Sequence, residues 1–266
     1  MAALRVLLLF GLLTAIFLAV GLFFAGTAGL TFGLTFAFVT NFFAYWFSDK
    51  LVLRMYGAKK FSDKKISSMV DKLAKKASIP KPELYVMNSA APNAFATGRD
   101  PNHSSVAVTK GLIERLDDDE IEGVLAHELN HIKHRDTLIS TLAATVAGAI
   151  TWLGYMFWFS DNDNRNIVSY IFLFILAPFA AMLVQLSISR GREYLADRGA
   201  AEISSPNSLA DALEKISTDA KQRPMRGNNA TAHMFIVNPF TAGSVMSLFS
   251  THPPIEERIN RLRQMR

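Results

Sequence analysis

Two histidines and a glutamate stand at helical spacing in the stretch His127-Glu128-Leu129-Asn130-His131, an HExxH motif. Residues four positions apart lie on one face of an α-helix, so His127 and His131 can direct their imidazoles at one metal ion. Zinc takes nitrogen or anionic ligands in a tetrahedron, and a catalytic site keeps one position open. Glu128 flanks the same point and is predicted to be the general base that activates water. The motif therefore predicts hydrolysis at a zinc ion.

The residues around the motif favour a buried helix over an exposed polar helix in which two histidines fall at this spacing by chance. Residues 117–120 supply an N-cap and an acidic first turn. An apolar stripe follows on one face: Ile121, Val124, Leu125, Leu129 and Ile132. The metzincin class is excluded, because its motif needs Gly at 134 and His at 137, where His134 and Thr137 stand. His134 is expected at an interface or beside the metal ligands.

A third metal ligand must come from elsewhere in the chain. The stretch at 190–198 places Glu193 and Asp197 on one helical face. Glu193 can complete a His-His-Glu site, and Asp197, one turn later, can accept an imidazole N–H. The alternative is ordinary surface charge among three arginines. We predict one Zn2+ per chain, bound by His127, His131 and Glu193.

The composition indicates a membrane protein. The chain has 266 residues, of which 50% are hydrophobic, and a formal net charge of +5. The positive charge lies mostly beside apolar runs, where it predicts anchoring at a membrane surface, and no compact basic motif suggests a nucleic-acid partner. The chain has no cysteine, so neither disulfides nor thiolate zinc ligands are available. A cytoplasmic catalytic part is compatible with this composition.

Long uncharged runs predict four transmembrane helices in two hairpins. Residues 6–48 are long enough for two spans of about 20 residues each, with a bend at 26–29. A signal peptide is the competing interpretation, and we discount it because a second apolar run follows at once. Residues 137–160 and 167–189 are also free of charge and are predicted to form the second hairpin. Buried core helices are the alternative for this pair.

Three short β-like runs precede the HExxH helix, at 83–88, 93–97 and 104–109. We predict a small antiparallel sheet beside the zinc helix. Metalloprotease clefts commonly hold a peptide as an added strand, so an exposed edge would suit the chemistry, whereas a purely structural hairpin is the alternative.

The predicted fold class is a mainly α membrane protein with four transmembrane helices and a gluzincin-like α+β zinc protease domain that carries this sheet. Its parts are a transmembrane hairpin at 1–48, the first part of the protease domain at 49–136, a second transmembrane hairpin at 137–189, and the second part of the protease domain at 190–266.

Four segments together resemble HtpX-type membrane zinc metalloproteases, which are similar to the CAAX prenyl endoprotease. In chain order they are PNAFATG at 92–98, HELNH at 127–131, REYLAD at 192–197 and STHPPIEERI at 250–259. The resemblance covers nearly the whole chain. It implies that zinc is held by the two histidines of HELNH and by Glu193, with Glu128 as the base.

The resemblance also implies that Asn93 and His252 bind the substrate backbone or the oxyanion, with Arg258 in support. It implies a protease that cleaves misfolded or damaged membrane proteins in stress-related quality control, with the lipid bilayer as its other partner. The positive-inside rule places both termini and the catalytic domain in the cytoplasm, so we expect a multi-pass protein of the inner (plasma) membrane. The sequence does not indicate an oligomeric state.

Three other functions remain open. A prenyl-protein processing protease shares the zinc motifs but has more spans around a large chamber, and the four predicted spans argue against it. An intramembrane site-2-type protease carries HExxH within an apolar span, whereas acidic residues precede the motif here and residues 133–136 follow it with charge. A metal-free membrane scaffold would be distinguished from the others by its zinc stoichiometry.

Overall fold

The computed structural model describes residues 2–143, 190–222, 225, 229–238 and 253–265 of the chain. In chain order its elements are α1 (Ala2–Met55), β1 (Lys59–Lys60), α2 (Lys64–Ala77), β2 (Glu83–Met87), β3 (Ala94–Asp100), β4 (His103–Thr109), α3 (Lys110–Arg115), α4 (Asp118–Lys133), α5 (Arg190–Ile203), α6 (Pro206–Gln222), a 3-10 helix (Asn229–Met234) and α7 (Ile255–Arg263). Residues 136–143 are also helical. His252 and residues 144–189, which include most of the predicted second hairpin, lie outside the described residues.

The helix α1 bends back on itself at Gly26 and so forms the predicted helical hairpin. Gly26 has a φ of +56°, a left-handed conformation that a residue without a side chain adopts at little cost. The two arms pack against each other, since the rings of Phe17 and Phe36 meet edge to face at 4.9 Å. Asn41 Nδ2 also donates a hydrogen bond to Thr14 Oγ1 across the arms at 3.1 Å. The chain therefore begins with two antiparallel apolar helices.

One arm of this hairpin, Ala25–Met55, is long and apolar enough to cross a membrane, and the other contains the shorter apolar helix Val6–Ala19. The second arm continues beyond the predicted boundary at residue 48, because Val52 and Leu53 are buried against the sheet. The hairpin and the globular part are thus one packed unit. The prediction of four transmembrane helices stays a prediction, because residues 144–189 are outside the described part of the chain.

The sheet has four strands in the order β1-β2-β4-β3, and its directions are mixed. The predicted all-antiparallel sheet is therefore wrong: β2 pairs with β4 in parallel, whereas β1 with β2 and β3 with β4 are antiparallel. A β-like pattern predicts which residues form strands but not which strands pair. Here β4 returns from its hairpin with β3 to lie beside β2, which leaves β3 at the outer edge. The two-residue strand β1 is too short to give a sequence pattern.

The two faces of the sheet pack against different apolar clusters, because successive side chains of a strand point to opposite faces. The larger cluster surrounds α4 and takes from the sheet Leu84, Ala94, Ala96, Val106 and Val108. The smaller cluster joins the end of α1 to Met87, Phe95, Ala107, Met234 and Phe235. The helix α4 contacts α2, α5, α6 and β3, so it is the central element of the globular part.

The helix α4 begins as the acidic run predicts. Asp117 Oδ1 accepts a hydrogen bond from the Glu120 N–H at 3.0 Å, and Glu120 Oε2 accepts from the Asp117 N–H at 2.9 Å, which is a capping box. The predicted apolar stripe of α4 is buried in the larger cluster. This confirms that the HExxH residues lie on a core helix.

The helix α5 approaches α4 closely at Gly199. A Cβ atom at this position would lie only 2.1 Å from Asn130 Oδ1, so a larger residue would displace the Asn130 side chain. The close approach brings the first turns of α5, with Glu193 and Asp197, against the HExxH face of α4.

Candidate metal centre

The three predicted metal ligands lie together where α4 and α5 meet. His127, His131 and Glu193 each offer one ligand atom, and these atoms lie within 4.8 Å of one another. Nε2 of His127 is 3.0 Å from Nε2 of His131, and these nitrogens are 3.8 and 3.5 Å from the two oxygens of Glu193. Two nitrogens that each lie about 2.0–2.1 Å from a tetrahedral zinc ion are about 3.3 Å apart. The donor types and their spacing therefore fit a metal ion such as zinc.

The donor atoms are withdrawn from solvent, and the protonation state of His127 suits a ligand. Its side chain is buried, and burial lowers the pKa of His127 to about 4, although Asp197 opposes the shift. The imidazole is therefore neutral at pH 7. A neutral imidazole has a lone pair on one nitrogen, which is what metal binding requires.

Asp197 fixes the orientation of His127 from one turn further along α5. Its Oδ1 is 2.9 Å from His127 Nδ1, which leaves Nε2 of the same ring directed at the other ligands. Burial alone would raise the pKa of Asp197, but the Arg258 guanidinium and His127 hold it at about 2. Asp197 is therefore an ionised acceptor, and the structure places it where the sequence predicts.

Arg258 lies against Asp197, and its guanidinium is also 3.5 Å from Glu193 Oε2 and 3.4 Å from both ring nitrogens of His127. It is not among the described residues that line the pocket. Its side chain has no exposed surface, and its Nη1 donates to the carbonyl oxygen of Ile236 at 3.0 Å. The ion pair with Asp197 raises the pKa of Arg258 further above its ordinary value, in spite of burial. The predicted support of substrate binding by Arg258 stays a prediction.

Glu128 is buried beside the donor set without belonging to it. Burial raises the pKa of Glu128 to about 7, and the charge of Glu193 adds to this effect, while His131 and a hydrogen bond from the Ala96 N–H oppose it. A carboxyl group whose pKa lies near neutrality can both accept and return a proton near pH 7. This is the property that a general base requires.

A single pocket contains these groups. Its wall is formed by the metal-site residues together with Ala96, Asp136, Thr137, Ser140, Arg192 and residues 233–236. His233 Nε2 donates to the carbonyl oxygen of Ser140 at 3.0 Å and so joins two parts of the wall. No pattern in the sequence predicted His233 at the site, because its neighbourhood has neither helical nor strand periodicity.

Sequence analysis also missed Asp136 and Arg192. Asp136 Oδ2 is 3.3 Å from His131 Nδ1, and Arg192 forms an ion pair with Asp136. A spacing of five residues does not put Asp136 on the helical face of His131, so helical periodicity could not find it. The sequence feature that could have indicated Asp136 is an acidic residue that directly follows the basic residues after the HExxH motif.

The remaining predicted residues either are not among the described residues that line the pocket or lie outside the described part of the chain. Asn93 is fully buried immediately before β3, where its Nδ2 donates to the Val237 carbonyl at 2.8 Å and its Oδ1 accepts from the Ala94 N–H at 3.0 Å. It is not among the described residues that line the pocket. His134 caps the C-terminal end of α4 and is half-buried. The role of His252 stays a prediction.

A buried His-His-Glu donor set with an adjoining glutamate, beside the edge strand of a sheet, is the arrangement of an HExxH metallopeptidase. The chain belongs to peptidase family M48, because the sequence model of that family matches residues 60–266.

Relatives of similar length support this assignment. A protein of Pyrococcus furiosus called "Protease HtpX homolog" is 50% identical over 271 residues, which cover 97% of this chain and 94% of that protein. A protein of Sulfurihydrogenibium sp. with the same description is 48% identical over 282 residues, covering 98% and 95% of the two chains. These similarities confirm the resemblance found in the sequence.

The crystal structure of S. mikatae Ste24p shares the fold with a TM-score of 0.56. The match covers 95% of this chain but 62% of that one, so the chain spans less than two thirds of the larger protein. Sequence identity is 18%, and the likeness therefore concerns the fold alone.

Proposed function

We propose that the protein is a membrane-embedded zinc endopeptidase that hydrolyses peptide bonds of misfolded or damaged membrane proteins at the cytoplasmic face. The observation that carries the proposal is the convergence of His127, His131 and Glu193 in one pocket with Glu128. Membership of a peptidase family and the names of the relatives support proteolysis. The apolar arm Ala25–Met55, packed directly against the catalytic part, supports the membrane setting.

The path of the proton follows from the position of Glu128. Zinc, when bound, polarises the scissile carbonyl group and lowers the pKa of water. Glu128 accepts the proton of the attacking water as the water oxygen bonds to the carbonyl carbon. The same carboxyl group then donates this proton to the departing nitrogen as the carbon–nitrogen bond breaks. Because Glu128 is buried with a raised pKa, it can carry out both steps near pH 7.

The edge strand β3 suits an extended peptide as substrate. Ala96 lines the pocket, and its N–H points to Glu128, so the strand passes directly beside the reacting groups. The carbonyl oxygen of Ala94 accepts a hydrogen bond from the Ile236 N–H at 3.1 Å, so the segment at 235–237 already covers one end of this edge. A substrate would pair with the remainder of β3 as an added strand. This mode requires an unfolded segment, which a damaged membrane protein provides.

The test is hydrolysis by the full-length protein in detergent. Wild type and Glu128→Gln are each loaded with zinc and incubated with an unfolded membrane protein, and internal cleavage is followed by mass spectrometry. Wild type should produce internal fragments, whereas Glu128→Gln should retain zinc and lose most hydrolysis, because an amide cannot accept the proton. Zinc-loaded wild type that does not cleave, or Glu128→Gln that cleaves at the wild-type rate, would contradict the proposal.

A further inference from the structure

We propose that Asp136, held by Arg192, is the positioning residue that orients His131 toward the metal. We further infer that this ion pair makes the metal site dependent on the two ends of the hydrophobic segment 137–189. The inference rests on the proposed metal site. It concerns Asp136 and Arg192, which are neither part of the HExxH motif nor the downstream glutamate.

The two nitrogens of His131 have different surroundings. Nε2 faces His127 and Glu193, whereas Nδ1 lies 3.3 Å from Asp136 Oδ2. An imidazole that binds a metal through Nε2 carries its proton on Nδ1, and an acceptor at Nδ1 fixes both the tautomer and the direction of the ring. Asp136 therefore accepts from Nδ1 of His131 in the same way that Asp197 accepts from Nδ1 of His127 at 2.9 Å. Each imidazole has its own carboxylate, and the two come from different parts of the chain.

A sharp turn in the backbone brings Asp136 back to His131. On an uninterrupted helix, residues five apart differ by about 140° around the axis, so their side chains would point away from each other. The helix α4 ends at Lys133, and Arg135 has a φ of +58°, a left-handed conformation that redirects the chain. Asp136 then begins the next helix. A non-glycine residue in this conformation is held there by its surroundings, and the turn serves to place Asp136.

The charge of Asp136 needs a partner, because the side chain is buried. Arg192, on the first turn of α5 and next to the ligand Glu193, supplies it. A similar set of groups is found at the other histidine, where Asp197 contacts both His127 and Arg258, although Arg258 also lies 3.4 Å from the ring nitrogens of His127. In both cases a buried carboxylate contacts an imidazole and a guanidinium, and the guanidinium holds the carboxylate in place.

The ion pair lies at the base of the segment predicted to form the second transmembrane hairpin. Asp136 immediately precedes residues 137–189, and Arg192 follows them closely. The pair therefore holds the two ends of this segment together beside His131. Separation of the ends would leave the buried Asp136 carboxylate without its cation and no longer fixed at Nδ1 of His131, so the affinity for metal depends on their being held together.

The experiment measures metal binding by the full-length protein in detergent. Metal-free wild type, Asp136→Ala, Asp136→Asn and Arg192→Gln are titrated with Zn2+ against a chelator, and their Co2+-loaded absorption spectra are recorded. Asp136→Ala should weaken zinc binding by about 10–100-fold and change the Co2+ bands. Asp136→Asn keeps an acceptor oxygen and should recover part of this loss. Arg192→Gln leaves the Asp136 carboxylate in the chain but removes the cation that holds it, so it should also weaken zinc binding.

Asp100→Ala is the matched control, because Asp100 forms a similar pair with His103 Nδ1 at 3.0 Å but does not line the pocket. It should bind zinc as wild type does. Wild-type affinity and spectrum in Asp136→Ala would overturn the role of Asp136, and wild-type affinity in Arg192→Gln would overturn the dependence on the segment ends. Failure of wild type itself to bind zinc would instead contradict the proposed function, so the two failures are distinguishable.

Discussion

Arg258 meets Asp197 through two hydrogen bonds, from Nε to Oδ2 at 2.9 Å and from Nη2 to Oδ1 at 2.7 Å, and both side chains are buried. This bidentate contact joins α7 to α5, and the same carboxylate accepts from His127. The metal centre is therefore held by a residue of the last described helix. Loss of the guanidinium would leave the buried Asp197 carboxylate without the cation that pairs with it.

Arg258→Gln should lower the free energy of unfolding by about 3–5 kcal/mol, because it leaves the Asp197 charge buried without its partner. Arg261→Gln on the same helix is the control. Its pair with Glu257 is about half exposed on both sides, so its loss should cost about 0–1 kcal/mol. Denaturant unfolding of the metal-free proteins in detergent measures both values. Equal effects of the two substitutions would contradict the importance of the buried pair.

Glu193→Ala should abolish tight zinc binding, because two histidines alone hold the ion weakly. Glu202→Ala is a suitable control, since Glu202 is an exposed glutamate of the same helix. The zinc content of the purified proteins, determined by mass spectrometry after removal of loosely bound metal, provides the comparison. If Glu193→Ala retains as much zinc as Glu202→Ala, Glu193 is not a ligand.

Metal-free Glu128→Gln should become more stable than metal-free wild type as the pH rises. The folded protein raises the pKa of Glu128 from 4.5 to about 7, mainly through burial, so the unfolded chain releases this proton at a lower pH. The free energy of unfolding of wild type therefore decreases between about pH 4.5 and pH 7, and glutamine has no such dependence.

Thermal unfolding in the presence of a chelator, at pH 5 and at pH 8, tests the direction of this pH dependence. The advantage of Glu128→Gln should be larger at pH 8. An advantage that is equal at both pH values, or larger at pH 5, would show that the carboxyl group is not buried in its neutral form.

The orientation in the membrane is predicted by the basic residues next to the apolar runs, including Lys50 and Arg54. Single cysteines can be introduced at Asn164, in the polar link of the predicted second hairpin, and at Ser68, an exposed position of α2, because the chain has no cysteine of its own. In intact cells a membrane-impermeant thiol reagent should label Asn164→Cys but not Ser68→Cys. Labelling of Ser68→Cys alone would reverse the proposed orientation.

The donor set could be located from the sequence, because each of its two parts lies within a single helix. The i, i+4 spacing of His127 and His131 and of Glu193 and Asp197 survives in the structure, since both pairs lie on regular helices. The acidic run at 117–120 predicted the N-cap and the acidic first turn of α4 for the same reason. Local patterns of this kind depend on one element alone.

The parts that sequence analysis did not predict depend on contacts between elements or on a break in a helix. Asp136 reaches His131 only because Arg135 adopts a left-handed conformation, which no periodicity reveals. Arg258 belongs to an ordinary-looking charged helix, and its burial follows from how α7 packs on α5 and α6. The parallel pairing of β2 with β4 likewise follows from the path of the chain between strands, and strand patterns do not contain that path.

The distribution of the site along the chain has a consequence for biosynthesis. The HExxH helix leaves the ribosome before Glu193, the third member of the donor set, which emerges only after residues 137–189, and Arg258, the cation that pairs with Asp197, follows later still. Chains are made from the N-terminus at about 5–20 residues per second. A nascent chain that has reached only α4 therefore carries half of a metal centre. The donor set can therefore be completed only after the hydrophobic residues 137–189 have been synthesised.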